Sequence, residues 1–294
     1  MENDSQTKLM KYVKTDLEKY DGLIMPVRAG FLEQIFVKKL SPKRLHPNPQ
    51  DEFCSDEVGP NYSIIEKYIH QIRKNREYEV RLFDEPLFIE KIRPDGYLLL
   101  NGHHRWGAAL LLDLRSIPVK ITNLTQPADI VRDLSKTTRE KRASINLDDV
   151  VFCNPESEPA ERPLFFPFNR IFRERIRRGI PSLFYALQEA GYDVWVYTSG
   201  YASTDYIRQM FRHYQIKVDG IINGLNHTGP NGSSAYDQAK TMMEKKYKVT
   251  LHIETDHVLR VRMGTKEFED IPLEAHDERW ANHVITIVRG LKDL

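Results

Sequence analysis

The second half of the chain most constrains the fold, because short apolar runs alternate there with helical stretches. Val150-Val151-Phe152 reads as a buried strand, and Val194-Trp195-Val196-Tyr197 as a second. Between them, residues 180–190 carry apolar side chains at helical spacing up to Gly191. Residues 203–214 read as another helix, and Gly220-Ile221-Ile222 and residues 249–253 as further strands. Strand and helix in alternation predict a parallel sheet covered by helices, here over residues 147–294.

The first half has a different rhythm and predicts an α+β domain. Leu9, Tyr12, Val13, Leu17 and Tyr20 stand at helical spacing in an N-terminal extension over residues 1–34. A strand is expected at residues 35–40, then a proline-rich loop to Asn61 and a helix over 62–75 with Ile64, Ile65, Tyr68, Ile69 and Ile72 on one face. Residues 85–92 and Tyr97 to Leu100 predict a hairpin around Pro94-Asp95-Gly96. A short helix from Ala108 to Leu114 and a strand from Ile117 to Ile121 complete a domain over 35–123. Residues 124–146 are polar and charged and read as a linker or a solvated connecting helix.

The 294 residues suffice for two separate cores. Lys and Arg number 43 against 42 Asp and Glu, a net charge of +1, which gives no general attraction to nucleic acid or anionic membrane. Specific DNA reading is not expected, although a protein partner is compatible with the composition. The two cysteines, Cys54 and Cys153, provide neither a disulfide scaffold nor a zinc motif. The polar start and the lack of a long apolar run predict a soluble cytoplasmic protein with no membrane contact.

Asn101-Gly102-His103-His104-Arg105-Trp106 sits between an apolar strand and a helix. A glycine there lets backbone approach a ligand, the helix start offers unpaired N–H groups to an anion, and His103, His104 and Arg105 add donors. Trp106 is placed to shelter a bound molecule. The turn thus predicts a phosphate cradle.

With Ile117-Pro118-Val119-Lys120-Ile121 after it and His46-Pro47-Asn48-Pro49 before it, this turn resembles the nucleotide-binding core of the ParB/sulfiredoxin superfamily over residues 35–123. The resemblance implies a small domain that grips a nucleoside triphosphate, ATP or CTP, with Mg2+. Sulfiredoxins carry a cysteine after the glycine where this chain has His103, and no helix-turn-helix pattern of the partitioning proteins follows residue 123. Free serine kinases share the turn except for an aspartate in place of Asn101. Their loop glutamate, which deprotonates the acceptor hydroxyl, implies Glu52 for that role here, with Asp51 second. The resemblance therefore implies ATP-dependent phosphoryl transfer to a small hydroxyl-bearing molecule. The neutral Asn101, a poorer ligand for a hard cation than a carboxylate, favours a non-catalytic nucleotide-controlled module instead.

The later strands and helices resemble the Rossmann-like fold of the haloacid dehalogenase family over residues 147–294. That family attacks phosphorus with an aspartate ending the first strand and uses a second aspartate two residues on as general acid. A first strand ending at Phe152 puts Cys153 and Pro155 there, so the resemblance implies a domain without aspartyl phosphatase activity. It also implies Thr198 or Ser199 for holding phosphate, Lys240 or Lys245 for the family's lysine, and Glu254 and Asp256 beside a cation. A thiol nucleophile at Cys153 is disfavoured by Glu156 and Glu158 nearby. Residues 164–172 are rich in phenylalanine and read as core, interdomain packing or, if exposed, a partner surface. Arg170, Arg173, Arg175, Arg177 and Arg178 read as a solvated face or a contact for nucleic acid or an acidic partner.

Overall fold

The computed structural model describes residues 2–77, 83–224, 233–265, 267–275 and 277–291. The chain divides into two compact units, the first ending at Asn123 and the second beginning at Leu124. Both are mixed α/β structures.

The first unit begins with α1 (Glu2–Tyr20), whose Leu9 and Val13 are buried at helical spacing. Then come β1 (Met25–Pro26), α2 (Phe31–Phe36), β2 (Lys39–Leu40), β3 (Leu45–His46), α3 (Tyr62–Glu77), β4 (Leu87–Arg93), β5 (Tyr97–Asn101), α4 (His103–Leu111) and β6 (Ile117–Ile121). The sheet runs β2-β6-β4-β5-β3, with β1 against β4. β4 and β5 form the expected antiparallel hairpin, while β4–β6 and β3–β5 are parallel. Helices α1, α3 and α4 lay Leu9, Val13, Ile65, Ile72, Trp106 and Ala109 into one core with Leu87, Ile89 and Leu99 of the sheet.

Two details differ from the sequence expectation. Most of the strand expected at 35–40 is absent: α2 continues to Phe36, and only Lys39–Leu40 pairs, with β6. Trp106 is fully buried rather than exposed to a ligand. Its indole N–H donates to the Pro42 carbonyl at 2.9 Å, and its ring packs against Tyr12 and Phe53.

The second unit contains α5 (Pro127–Ser135), β7 (Lys141–Asn146), a π-helical turn (Leu147–Val151), β8 (Phe152–Cys153), α6 (Phe168–Ile171), β9 (Arg175–Ile176), α7 (Ile180–Glu189), β10 (Tyr192–Tyr197), α8 (Thr204–His213) and β11 (Gly220–Ile222). After them come α9 (Ser233–Lys246), β12 (Val249–Ile253), β13 (His257–Arg262), β14 (Phe268–Pro272) and α10 (Trp280–Gly290). The sheet order is β11-β10-β7-β12-β13-β14; β7, β10, β11 and β12 are parallel, and β13 and β14 return antiparallel.

The expected linker over 124–146 is therefore corrected. Its helical part is α5, with Ile130 and Leu134 buried, and its end is β7, an interior strand of the sheet. Lys141 and Arg142 made β7 read as solvated, yet each cation lies over an aromatic ring, Lys141 over Tyr192 and Arg142 over Tyr247 at 5.7 and 5.6 Å. Ala143 and Ile145 supply its buried apolar positions.

The strand expected at Val150-Val151-Phe152 is corrected as well. Leu147–Val151 forms the π-helical turn, with Leu147, Val150 and Val151 buried, and Phe152–Cys153 begins a separate two-stranded hairpin with Arg175–Ile176. Three buried apolar residues suit a packed turn as well as a strand, which is why periodicity alone misplaced the strand. No helix among the described residues is long and apolar enough to cross a membrane.

Candidate functional site

In the first unit the turn after β5 is built on Gly102, at φ +96° and ψ 28°. That left-handed conformation disfavours any side chain, and a Cβ here would also meet the Arg105 guanidinium at 3.0 Å and Leu87 at 3.1 Å. α4 starts on this residue, and no side chain caps its first turn. Its leading N–H groups and the helix dipole give the turn a positive potential.

Arg105 adds a whole charge beneath it. The residue is buried, and Nη1 donates to the Glu85 carbonyl at 2.7 Å, which fixes the guanidinium under Gly102. Asn101 is exposed at the end of β5.

Both histidines expected to donate to phosphate make hydrogen bonds to the preceding loop. His103 is buried, and its Nε2 accepts the Asn48 N–H at 3.2 Å, so its proton resides on Nδ1, which faces Asp51 at 3.0 Å. Both nitrogens are thus engaged within the unit. Nε2 of His104 accepts the Asn61 N–H at 3.2 Å, and burial lowers its pKa and favours the neutral ring.

Both ends of the proline-rich loop are therefore tied to α4. Its middle is a 3-10 turn, Glu52–Cys54, capped by Asp51, which accepts the Phe53 N–H at 3.0 Å. Phe53 drives the turn into place, buried against His103, His104 and Trp106. Burying such a ring contributes about 1.5–3 kcal/mol.

Asp51 and Glu52 consequently part company. Burial pushes the Asp51 carboxyl up, but the hydrogen bonds from His103 and the Phe53 N–H outweigh it and leave the pKa lowered. Glu52 is exposed. Cys54 is a half-buried thiol pushed up to about 12, chiefly by desolvation, and is inert as a nucleophile at neutral pH. Sequence reasoning missed Asn48, Phe53 and Asn61. Phe53, an isolated aromatic in an acidic loop, was the available signal; the other two act partly through backbone N–H groups.

Among the described residues no group of three His, Cys, Asp or Glu side chains stands close enough to hold a metal ion. The described donor set thus supplies no protein cage for Mg2+.

In the second unit β7, not the Val150 segment, is the central strand. The residues at its end and two further on are Asn146 and Asp148, and Cys153 lies in the β8–β9 hairpin. Asn146 accepts the Asp148 and Asp149 N–H groups and donates to Asp149 at 2.6 Å. Thr198, buried after β10, donates to Asp148 at 2.5 Å. Tyr197 donates to Glu254 at 2.5 Å, and His257 lies 2.7 Å from Asp256.

Asp148, Asp149, Cys153, Arg177, Glu254 and Asp256 line part of a cavity of about 690 Å³, which Asn146, Tyr197, Thr198 and His257 do not line. Pro155, Ser199, Lys240 and Lys245 are exposed and do not line it. Burial, with Glu158 adding to it, raises the Cys153 thiol pKa, opposite to what a thiolate nucleophile needs.

Residues 33–137 match the ParB N-terminal domain family. No curated protein sequence matches the chain. Similar solved structures include two at 14% identity. One is a glutamate-to-glutamine variant of a free serine kinase in complex with AMP, at a TM-score of 0.22 over 86% of this chain and 81% of that one. The other is a glutamate-to-alanine variant in complex with ADP, at a TM-score of 0.23 over 92% and 86%.

Proposed function

We propose that the first unit binds a nucleoside triphosphate at the Gly102 turn and directs its terminal phosphoryl group to a small hydroxyl-bearing acceptor. The carrying observation is the pairing of the open α4 N-terminus with a guanidinium fixed under Gly102. Together they suit an anion, and the ParB-type match over 33–137 supports a nucleotide there. Arg105 and the first N–H groups of α4 hold phosphate oxygens, while His103 and His104 position the loop.

The bound nucleotide supplies the phosphoryl group. Glu52, exposed beside the anchored Phe53, takes the proton of the acceptor hydroxyl; Asp51, already held by His103, is the weaker choice. The test is to incubate the full chain with ATP or CTP, magnesium and a panel of hydroxyl metabolites beginning with serine, and to follow diphosphate release and acceptor phosphorylation. Acceptor-dependent turnover supports the kinase reading. Tight nucleotide binding without turnover selects a nucleotide-controlled module, which the neutral, exposed Asn101 favours.

The second unit is proposed as a haloacid dehalogenase-like domain without its nucleophile. An amide at Asn146 cannot form the aspartyl-phosphate bond, although Asp148 and Thr198 retain an acid and a hydroxyl at the sheet end. The cytoplasm remains the proposed location.

A further inference from the structure

The segment from residue 162 to 173 concentrates Arg162, Arg170 and Arg173 with Phe165, Phe166, Phe168 and Phe172, and contains no acidic residue. Glu161 and Glu174 bound the segment on either side. Phe172 is buried against Tyr206, whose hydroxyl accepts the Arg173 N–H and donates to the Glu174 carboxylate. Phe168 packs on His213 at 4.0 Å, which brings the exposed end of α8, with Arg212, beside the segment.

That anchoring leaves two rings outside. Phe165 is 88% exposed and Phe166 70%, and the Arg170 guanidinium lies 5.1 Å from the Phe166 ring centroid. Arg162, Arg170 and Arg173 are all exposed. Large apolar rings on a fixed base, interspersed with cations, suit a ligand that offers flat π-faces and regularly spaced negative charge.

We infer that this face binds single-stranded nucleic acid, with bases stacked on Phe165 and Phe166 and phosphates on Arg162, Arg170 and Arg173. A single strand fits better than a duplex because only unpaired bases expose their faces for stacking. It fits better than a membrane because the Arg170 guanidinium stands against the Phe166 ring, which keeps charge and π-face together. The assignment is independent of the nucleotide site in the first unit.

The experiment is fluorescence anisotropy of the full chain with labelled 20-nucleotide single-stranded DNA and RNA, from low to moderate salt. Duplex of the same sequence and anionic phosphatidylserine vesicles serve as competing ligands. Single strands should bind best, with a log-affinity slope of about −2 against log salt if three phosphates are neutralised. Phe165→Ala with Phe166→Ala should weaken binding about tenfold or more at an unchanged slope, since stacking is largely salt-insensitive. Arg162→Gln with Arg173→Gln should make the slope shallower. These positions are exposed, so an unchanged unfolding midpoint certifies the fold of each variant.

Binding that none of these substitutions alters would overturn the proposal. So would equal affinity for duplex, binding to vesicles but not oligonucleotides, or no binding even at low salt.

Discussion

His103 faces Asp51 at 3.0 Å through Nδ1 while its Nε2 accepts the Asn48 N–H, so one buried imidazole joins the start of α4 to two points of the preceding loop. His103→Ala removes both contacts and leaves Asn48 N–H and Asp51 without this partner. The expected loss is about 1–3 kcal/mol of stability. Urea unfolding checks it, with the midpoint expected to fall at an unchanged slope.

Asp51 also sets an acid limit. Its folded-state pKa lies below the ordinary 3.8, so its contribution is fully present above the unfolded value and is lost as pH falls through the folded one. Wild type should therefore lose stability more steeply than Asp51→Asn below about pH 4. Melting curves between pH 2.5 and 6 decide the matter; parallel curves would remove the His103–Asp51 coupling from the account.

His104 acts in a higher window. Its pKa is depressed from 6.5 by burial, so the unfolded chain binds the proton more readily and folding is penalised as pH falls through and below 6.5. Protonation would also remove the acceptor for the Asn61 N–H. His104→Gln should flatten the stability profile between pH 5 and 7, measured by thermal unfolding.

Arg105→Ala should weaken triphosphate binding at least tenfold, the equivalent of about 1.5–3 kcal/mol for a charge-assisted contact. Gly102→Ala should cost about 1–2 kcal/mol of stability from the left-handed backbone, with nucleotide binding impaired as well. Calorimetric titration of both variants supplies the check. Wild-type affinity in Arg105→Ala would remove the anion site from the turn.

Glu52→Gln should leave nucleotide affinity near wild type and lower acceptor-dependent turnover about 10²- to 10⁴-fold if Glu52 is the base. Full activity in that variant passes the role to Asp51. The full chain should not hydrolyse a generic phosphate ester with magnesium, because Asn146 ends the central strand; chelator-sensitive turnover would contradict this.

Much of the first unit was legible in periodic apolar spacing. The helix expected at 62–75 is Tyr62–Glu77, the hairpin about Asp95 is β4–β5, and the glycine turn opens α4. β7 was not legible, because Lys141 and Arg142 look solvated until Tyr192 and Tyr247, distant in sequence, are folded beside them. The same distance concealed the duties of the histidines. A basic run beside a glycine suggests an anion, but only the placement of Asn48, Asp51 and Asn61 turns His103 and His104 inward. The anchor of Arg105 on the Glu85 carbonyl could not be read locally either.

The interior position of β7 also orders events on the ribosome. Ser144 lies between Trp195 and His252, both of which emerge after it, so the strand can gain one neighbour early but waits for β12 to gain the second. A nascent chain halted before residue 249 would present the unpaired N–H and C=O groups of β7 as an open edge. Translation speed between these strands thus sets how long a sticky intermediate persists, and pauses there invite aggregation before the sheet can close.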